Sequence, residues 1–243
     1  MNKSNLYIFI YSTIMVVLVA AVLSLAATML KPYQQKNEEI ARKLDILRSV
    51  DKGLGAAEAD SKNDYVEAEY EKYIKESLVV GVDGHIIEGL DAFGIDIKKE
   101  LAKAPEAMEL PVFICIQDDG SRSYIFPVFG TGLWGPLWGY VALGDDFNTI
   151  TGVVFDHKAE TPGLGAEINT REFQTQFVGK KIFNDQGEYV SVMVNKPNQP
   201  GEPKHTVDAI SGGTITSKGL EAMLVDCLKN YVNLIKSLNT LLP

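Results

Sequence analysis

Residues 6–30 carry no charged side chain and read LYIFIYSTIMVVLVAAVLSLAATML. That run exceeds the ~20 apolar residues a helix needs to cross a bilayer. A helix also satisfies its own backbone in lipid. The pattern predicts a single transmembrane anchor over 1–31, with Tyr7 and Tyr11 near one end and Lys31, Pro32 and Tyr33 at the other, as interfacial residues should lie. A cleaved signal peptide is the rival reading, helped by the small pairs at 20–21 and 26–27. Its apolar region is ordinarily only ~7–15 residues, so length favours a retained anchor. No cysteine lies nearby, which excludes a lipoprotein signal. Lys3 precedes the span while Lys31, Lys36, Arg42 and Lys43 follow it, and charge alone leaves the orientation open.

Beyond the anchor the apolar period changes twice. Residues 36–50 have helical spacing, with Ile40, Leu44 and Leu47 on one face, and the charged stretch 67–78 is also expected to be helical. Together they predict a stalk over 32–78. From residue 79 onward short apolar runs alternate with Gly and Asp turns. Runs at 112–117 and 123–128 flank Asp118-Asp119-Gly120-Ser121, and runs at 181–183 and 189–194 flank Asn184-Asp185-Gln186-Gly187; both read as hairpins. Further strands are expected at 137–143 and 149–157, and a helix at 170–178. A long helix at 217–238 carries the stripe Leu220, Met223, Leu224, Cys227, Tyr231, Leu234, Ile235 and Leu238. The fold class is therefore α+β, with an antiparallel sheet and packed helices over 79–243 behind the anchor and stalk.

The net charge of −9 over 243 residues repels phosphates and argues against a nucleic-acid partner. Cys115 and Cys227 show no CxxC spacing and no neighbouring His, which disfavours a zinc or iron–sulfur site. Two buried free thiols are the expectation, with a disulfide as the alternative in an oxidising compartment. His157 and Glu160 form an HxxE pair without a third ligand, and His85 and His205 are expected at the surface.

The segment richest in chemistry is Asp208-Ala209-Ile210-Ser211-Gly212-Gly213-Thr214-Ile215-Thr216-Ser217. Two glycines admit close backbone approach. The hydroxyls of Ser211, Thr214, Thr216 and Ser217 crowd the start of the long helix, where backbone N–H groups favour an anion such as phosphate. The segment lacks the GK[ST] ending of a Walker A loop and is not a GxSxG elbow. By local physics it is either a phosphate cradle or a Gly-rich turn capped by Thr216 or Ser217.

Three segments in order carry a family resemblance. Asp208-x-x-Ser211-Gly212-Gly213-Thr214 resembles the flavinylation motif of FMN-binding domains, usually Asp-x-x-Ser/Thr-Gly-Ala-Thr, with Gly213 in place of the alanine. Gly132-Leu133-Trp134-Gly135, with Tyr140, resembles that family's GLW segment, and Glu160-Thr161-Pro162-Gly163-Leu164-Gly165 its ETPGLG segment. With the anchor and the length, the chain resembles the C-subunit family of sodium-translocating NADH:quinone reductases; the related G subunits of Rnf-type ferredoxin:NAD oxidoreductases are the alternative. A non-redox anchored binding or assembly module is the competing class.

The resemblance implies FMN joined by a phosphoester to Thr214, with Ser211, Gly212, Gly213 and Thr216 along the phosphate and ribityl chain. It implies walls for the ring from Leu133 and Trp134 and from the loop of Glu160, Thr161, Leu164 and Gly165. Asp208 would serve recognition by a separate flavin transferase; as a residue type it equally suits a turn. The implied role is electron transfer within an inner-membrane complex, in contact with other membrane subunits and with the FMN domain on the periplasmic side.

Overall fold

The computed structural model describes residues 3–197, 199 and 201–241. The apolar run lies in α1 (Lys3–Arg48), whose most hydrophobic window has a mean hydropathy of 2.6 and is not buried. It is one helix long and apolar enough to cross a membrane, among the described residues. Two of its hydroxyls are internally satisfied: Thr13 donates to the Phe9 carbonyl at 2.9 Å and Thr28 to that of Ser24 at 2.8 Å. Such bonds remove polar hydrogens that lipid cannot accept. The chain divides into two compact units, Met1–Arg42 and Lys43–Pro243.

The second unit is built on a five-stranded antiparallel sheet in sequence order: β1 (Ile74–Val80), β2 (Leu110–Ile116), β3 (Arg122–Thr131), β4 (Pro136–Leu143) and β5 (Ile150–His157), with the short helix α3 (Ile97–Glu100) between β1 and β2. β2 is buried along nearly its whole length, which explains its unbroken apolar run. The turn joining it to β3 is the expected hairpin, with Gly120 at φ 84 and the Gln117 N–H donating to Ser121 O at 2.8 Å. Cys115 and Cys227 are buried free thiols, each pushed up to about 11 by burial.

Helix α5 (Thr214–Lys229) lies on β3 and buries Leu220, Met223, Leu224, Cys227 and Leu228. Truncating one of these leucines to alanine should cost about 2–5 kcal/mol. Two glycines set how closely helix and strand approach. A Cβ on Gly130 would stand 2.6 Å from Met223 Cβ, and one on Gly219 would stand 2.3 Å from the Thr131 carbonyl oxygen. The start of α5 is thereby held against the end of β3.

Several elements differ from the sequence pattern. The stretch 67–78 is not one helix: α2 (Lys62–Tyr73) stops and β1 begins at Ile74, because Ile74, Val79 and Val80 bury against β2. The helix expected at 170–178 shortens to α4 (Arg171–Thr175), with the Phe173 N–H bonded to the capping Thr170 hydroxyl. The second hairpin reduces to the bridge between Phe183 and Tyr189. Ser191, at φ 60, marks a left-handed turn before β6 (Met193–Asn195), which pairs parallel with β7 (Thr206–Asp208). The long terminal helix breaks after α5, and α6 (Val232–Leu241) follows. Tyr231, at the break, is buried and donates to the Pro111 carbonyl at 3.1 Å. His205, expected at the surface, is buried with Nδ1 2.6 Å from the Lys181 carbonyl oxygen.

Candidate cofactor site

The parallel pair β6–β7 delivers the chain from Asp208 into the turn 209–213, and α5 begins at Thr214. Three hydrogen bonds shape the turn. The Ala209 N–H donates to Asn195 O at 2.7 Å, the Gly213 N–H to Ile210 O at 3.0 Å, and the Ile210 N–H to the Ser217 hydroxyl oxygen at 3.2 Å. Gly212 adopts φ +72, where a side chain is strained, and a Cβ there would meet Leu164 Cδ2 at 2.5 Å. This turn therefore requires glycine on backbone grounds.

Gly213 occupies the cap position of α5 and supplies no side-chain bond to the helix start. The expected caps are used elsewhere: Ser217 accepts from Ile210, and Thr216, only 1 % exposed, donates to Glu160. The helix start thus presents N–H groups without a capping side chain, beside the exposed Ser211 and Thr214. Asp208 is exposed at the end of β7, its N–H bonded to the Gln176 side-chain oxygen at 2.9 Å.

Two loops meet this turn. The β3–β4 connection is closed by the Gly132 N–H on Gly135 O at 2.8 Å and leaves Leu133 49 % and Trp134 64 % exposed. Tyr140 is buried further along β4. The segment after β5 turns at Thr161, whose carbonyl accepts the N–H groups of Leu164 and Ala166, both at 3.1 Å. Leu164 is exposed there and Gly165 is buried. Ile215, on the first turn of α5, is also exposed.

Glu160 joins the three pieces. It is buried, its Oε1 accepts the Trp134 N–H at 2.8 Å, and its Oε2 accepts the Thr216 hydroxyl at 2.6 Å. Its own N–H donates to His157 Nδ1 at 3.1 Å. The structure thus brings together the loops carrying Leu133, Trp134, Glu160, Thr161, Leu164, Gly165, Ser211, Gly212, Gly213, Thr214 and Thr216. Within that set Glu160 and Thr216 face inward and hold the loops, whereas Thr214, Ser211, Leu133, Trp134 and Leu164 are open to solvent.

A cleft of about 520 Å³ opens elsewhere, between residues 45–54, β5 and α4. Asp45, Arg48, Asp156, Arg171 and Gln174 are among its lining residues. Burial, reinforced by Asp156, pushes the Asp45 carboxyl up to about 6. No sequence motif pointed to this cleft, and Asp45 and Asp156, far apart in the chain, carry no local signal for it.

Residues 132–229 match the family described as FMN-binding domain, a span that includes the three converging segments from Gly132 onward. The C subunit of the Na(+)-translocating NADH-quinone reductase of Haemophilus ducreyi is 32 % identical over 225 residues, covering 85 % of this chain and 84 % of that protein. The crystal structure of the corresponding protein from Parabacteroides distasonis superposes with a TM-score of 0.75 at 42 % identity, covering 85 % of this chain and 96 % of that one. That of Shewanella oneidensis NqrC gives 0.68 at 26 % identity, covering 86 % and 99 %.

Proposed function

Because the chain belongs to the C-subunit family of Na(+)-translocating NADH-quinone reductases, we propose that it carries FMN esterified to Thr214 and relays electrons between redox centres of that complex. The family membership also separates it from the Rnf G subunits. It makes the chain one subunit of an oxidoreductase complex, whose other subunits are its partners. The observation that carries the covalent reading is the exposed Thr214 at a helix start with no capping side chain, directly after a turn whose glycine at φ +72 a side chain would strain.

The residues fit an FMN phosphate. N–H groups at the start of α5 favour the anion. Ser211 and Gly212 line the approach, and Leu133, Trp134 and Leu164 offer apolar surface to a flat ring. FMN supplies one-electron exchange when bound. Esterification needs an activated phosphoryl donor, such as a flavin dinucleotide presented by a flavin transferase. The Thr214 oxygen would bond to the FMN phosphorus as the pyrophosphate bridge breaks, and adenosine monophosphate would leave, carrying away the hydroxyl proton. Asp208, exposed before the turn, would serve recognition by that transferase.

Residues 1–31 would form the single-pass inner-membrane anchor, 32–78 the connector, ending within β1, and 79–243 the FMN-binding region, on the periplasmic side. The test is the full chain co-expressed with a flavin transferase and run on a denaturing gel. Yellow-green fluorescence in the band, and an intact mass raised by FMN less one water, are expected. A dark band at the bare-chain mass would reject the covalent reading.

A further inference from the structure

Glu160 is buried, yet it lies between two loops whose neighbouring side chains are exposed. Both its carboxylate oxygens are engaged, one by a backbone N–H of the Trp134 loop and one by the Thr216 hydroxyl of α5. The residues donating those bonds lie 26 and 56 positions away along the chain. Two glycines keep room for the carboxylate. A Cβ on Gly132 would stand 2.5 Å from Oε1, and one on Gly165 would stand 2.5 Å from Oε2 and 2.3 Å from Thr216 Oγ1. Gly165 also lies close beneath the Thr214 turn, since a Cβ on Gly213 would be 3.3 Å from the Gly165 N. The packing around the carboxylate is thus built to its shape.

We propose that Glu160 is the positioning residue of the flavin cradle. It clamps the Trp134 loop to the first turn of α5, so that the ring walls and the Thr214 hydroxyl hold their relative places before any flavin arrives. The inference rests on the covalent reading of Thr214 and extends it to a residue that need not touch the cofactor. An ionised carboxylate accepts both bonds at once, and a lost partner leaves a buried donor unsatisfied. A glutamine can serve in its place: its oxygen accepts from Trp134 and its amide donates to the Thr216 oxygen. An alanine can do neither. Without the clamp, ring walls and hydroxyl are free to separate, and attachment slows because the reacting geometry is no longer preorganised.

The experiment uses the full chain in detergent, with a flavin transferase and flavin adenine dinucleotide. It reads the initial rate of FMN attachment by mass, then the fluorescence anisotropy and yield of the attached flavin. Glu160→Ala, which loses both bonds, should slow attachment about a hundredfold, about tenfold for each buried hydrogen bond. Its attached flavin should show lower anisotropy and a higher yield, since the ring is no longer held against Trp134. Glu160→Gln should restore the rate to within about twofold and restore both fluorescence values. Thr216→Val, which removes one arm of the clamp, should fall between alanine and wild type and keeps the test valid if Glu160→Ala does not fold. Wild-type rate, anisotropy and yield in Glu160→Ala, or in Thr216→Val where alanine is unfolded, would overturn the clamp. So would a glutamine variant as impaired as alanine. A wild-type chain that acquires no flavin would instead reject the covalent reading.

Discussion

The unit from Lys43 onward contains two regions that could hold a ligand, and they differ in nearly every physical respect. The cleft along β5 is concave, has a volume of about 520 Å³, and sets carboxylates and guanidinium groups among apolar side chains such as Leu54, Val154 and Val178. The Thr214 face is an exposed meeting of three loops that shows apolar side chains to solvent. Ligands held only by noncovalent contacts favour enclosure, because most of their surface must be buried to offset lost freedom. A tethered cofactor does not dissociate, so its site can remain open, and an electron carrier gains from an edge that partners can approach. The cleft offers concavity, whereas the three motifs converge on the open face.

The strongest way to break this contrast is at the proposed tether. Thr214→Ala should remove all covalent flavin, read as loss of in-gel fluorescence and of the added mass, with the fold intact because the side chain is exposed. Thr216→Ala should still reach full attachment at long times, since its hydroxyl is directed to Glu160 and not to the surface. Equal and complete loss in both would mean that the acceptor is misassigned.

The next test concerns the floor of the open site. Gly165→Ala places a methyl group 2.3 Å from Thr216 Oγ1 and 2.5 Å from Glu160 Oε2. Neither is the free end of a flexible chain, so overpacking should cost about 3 kcal/mol, read as a lower urea midpoint with an unchanged slope. Unaltered stability would show that the loops are not held as tightly as the Glu160 bonds indicate.

The open site was legible in its parts but not in its assembly. Gly212 and Thr214 stand out locally as a glycine turn with crowded hydroxyls at a helix start, whereas their flavin reading, and that of the ETPGLG turn, rests on the family resemblance of three segments in order. The role of Glu160 leaves no local signature, since the groups bonded to its carboxylate come from Trp134 and Thr216, brought close only by folding. The same division runs through the fold. The Asp118–Ser121 hairpin is a local event and was readable. β1 was hidden in a charged stretch because its outward residues Lys75, Glu76 and Ser77 suit a helix, and only pairing with β2 makes it a strand. Cys115 and Cys227 were readable as buried thiols because each sits within an apolar pattern that needs no distant partner.

The cleft gives a pH-dependent test. Asp45 titrates at about 6 in the folded chain against 3.8 ordinarily, first through burial and then through Asp156. The folded state therefore holds this proton more tightly than the unfolded state. Its stabilising effect is complete below pH ~4, falls as pH rises through ~6, and leaves a constant penalty above. Asp45→Asn should remove that penalty, raising stability by about 3 kcal/mol near pH 8 and by close to nothing near pH 3.5. Urea unfolding at the two pH values reads it. FMN attachment should be unchanged; a lost flavin would mean that the cleft belongs to the flavin site and would collapse the comparison.

The smallest effects come from one exposed leucine in each region. Leu133 is 49 % and Leu54 is 55 % exposed, so truncating either to alanine removes little buried surface. Each should change stability by less than about 0.5 kcal/mol. Their difference should appear only in the cofactor. Leu133→Ala opens one wall of the Thr214 face and should shift the yield and emission maximum of the attached flavin. Leu54→Ala lies in the cleft lining and should leave both unaltered. Two substitutions alike in chemistry and in thermodynamic cost would then report which region surrounds the ring. Identical flavin spectra in both variants would remove Leu133 from the wall and leave Trp134 and Leu164 to enclose the ring alone.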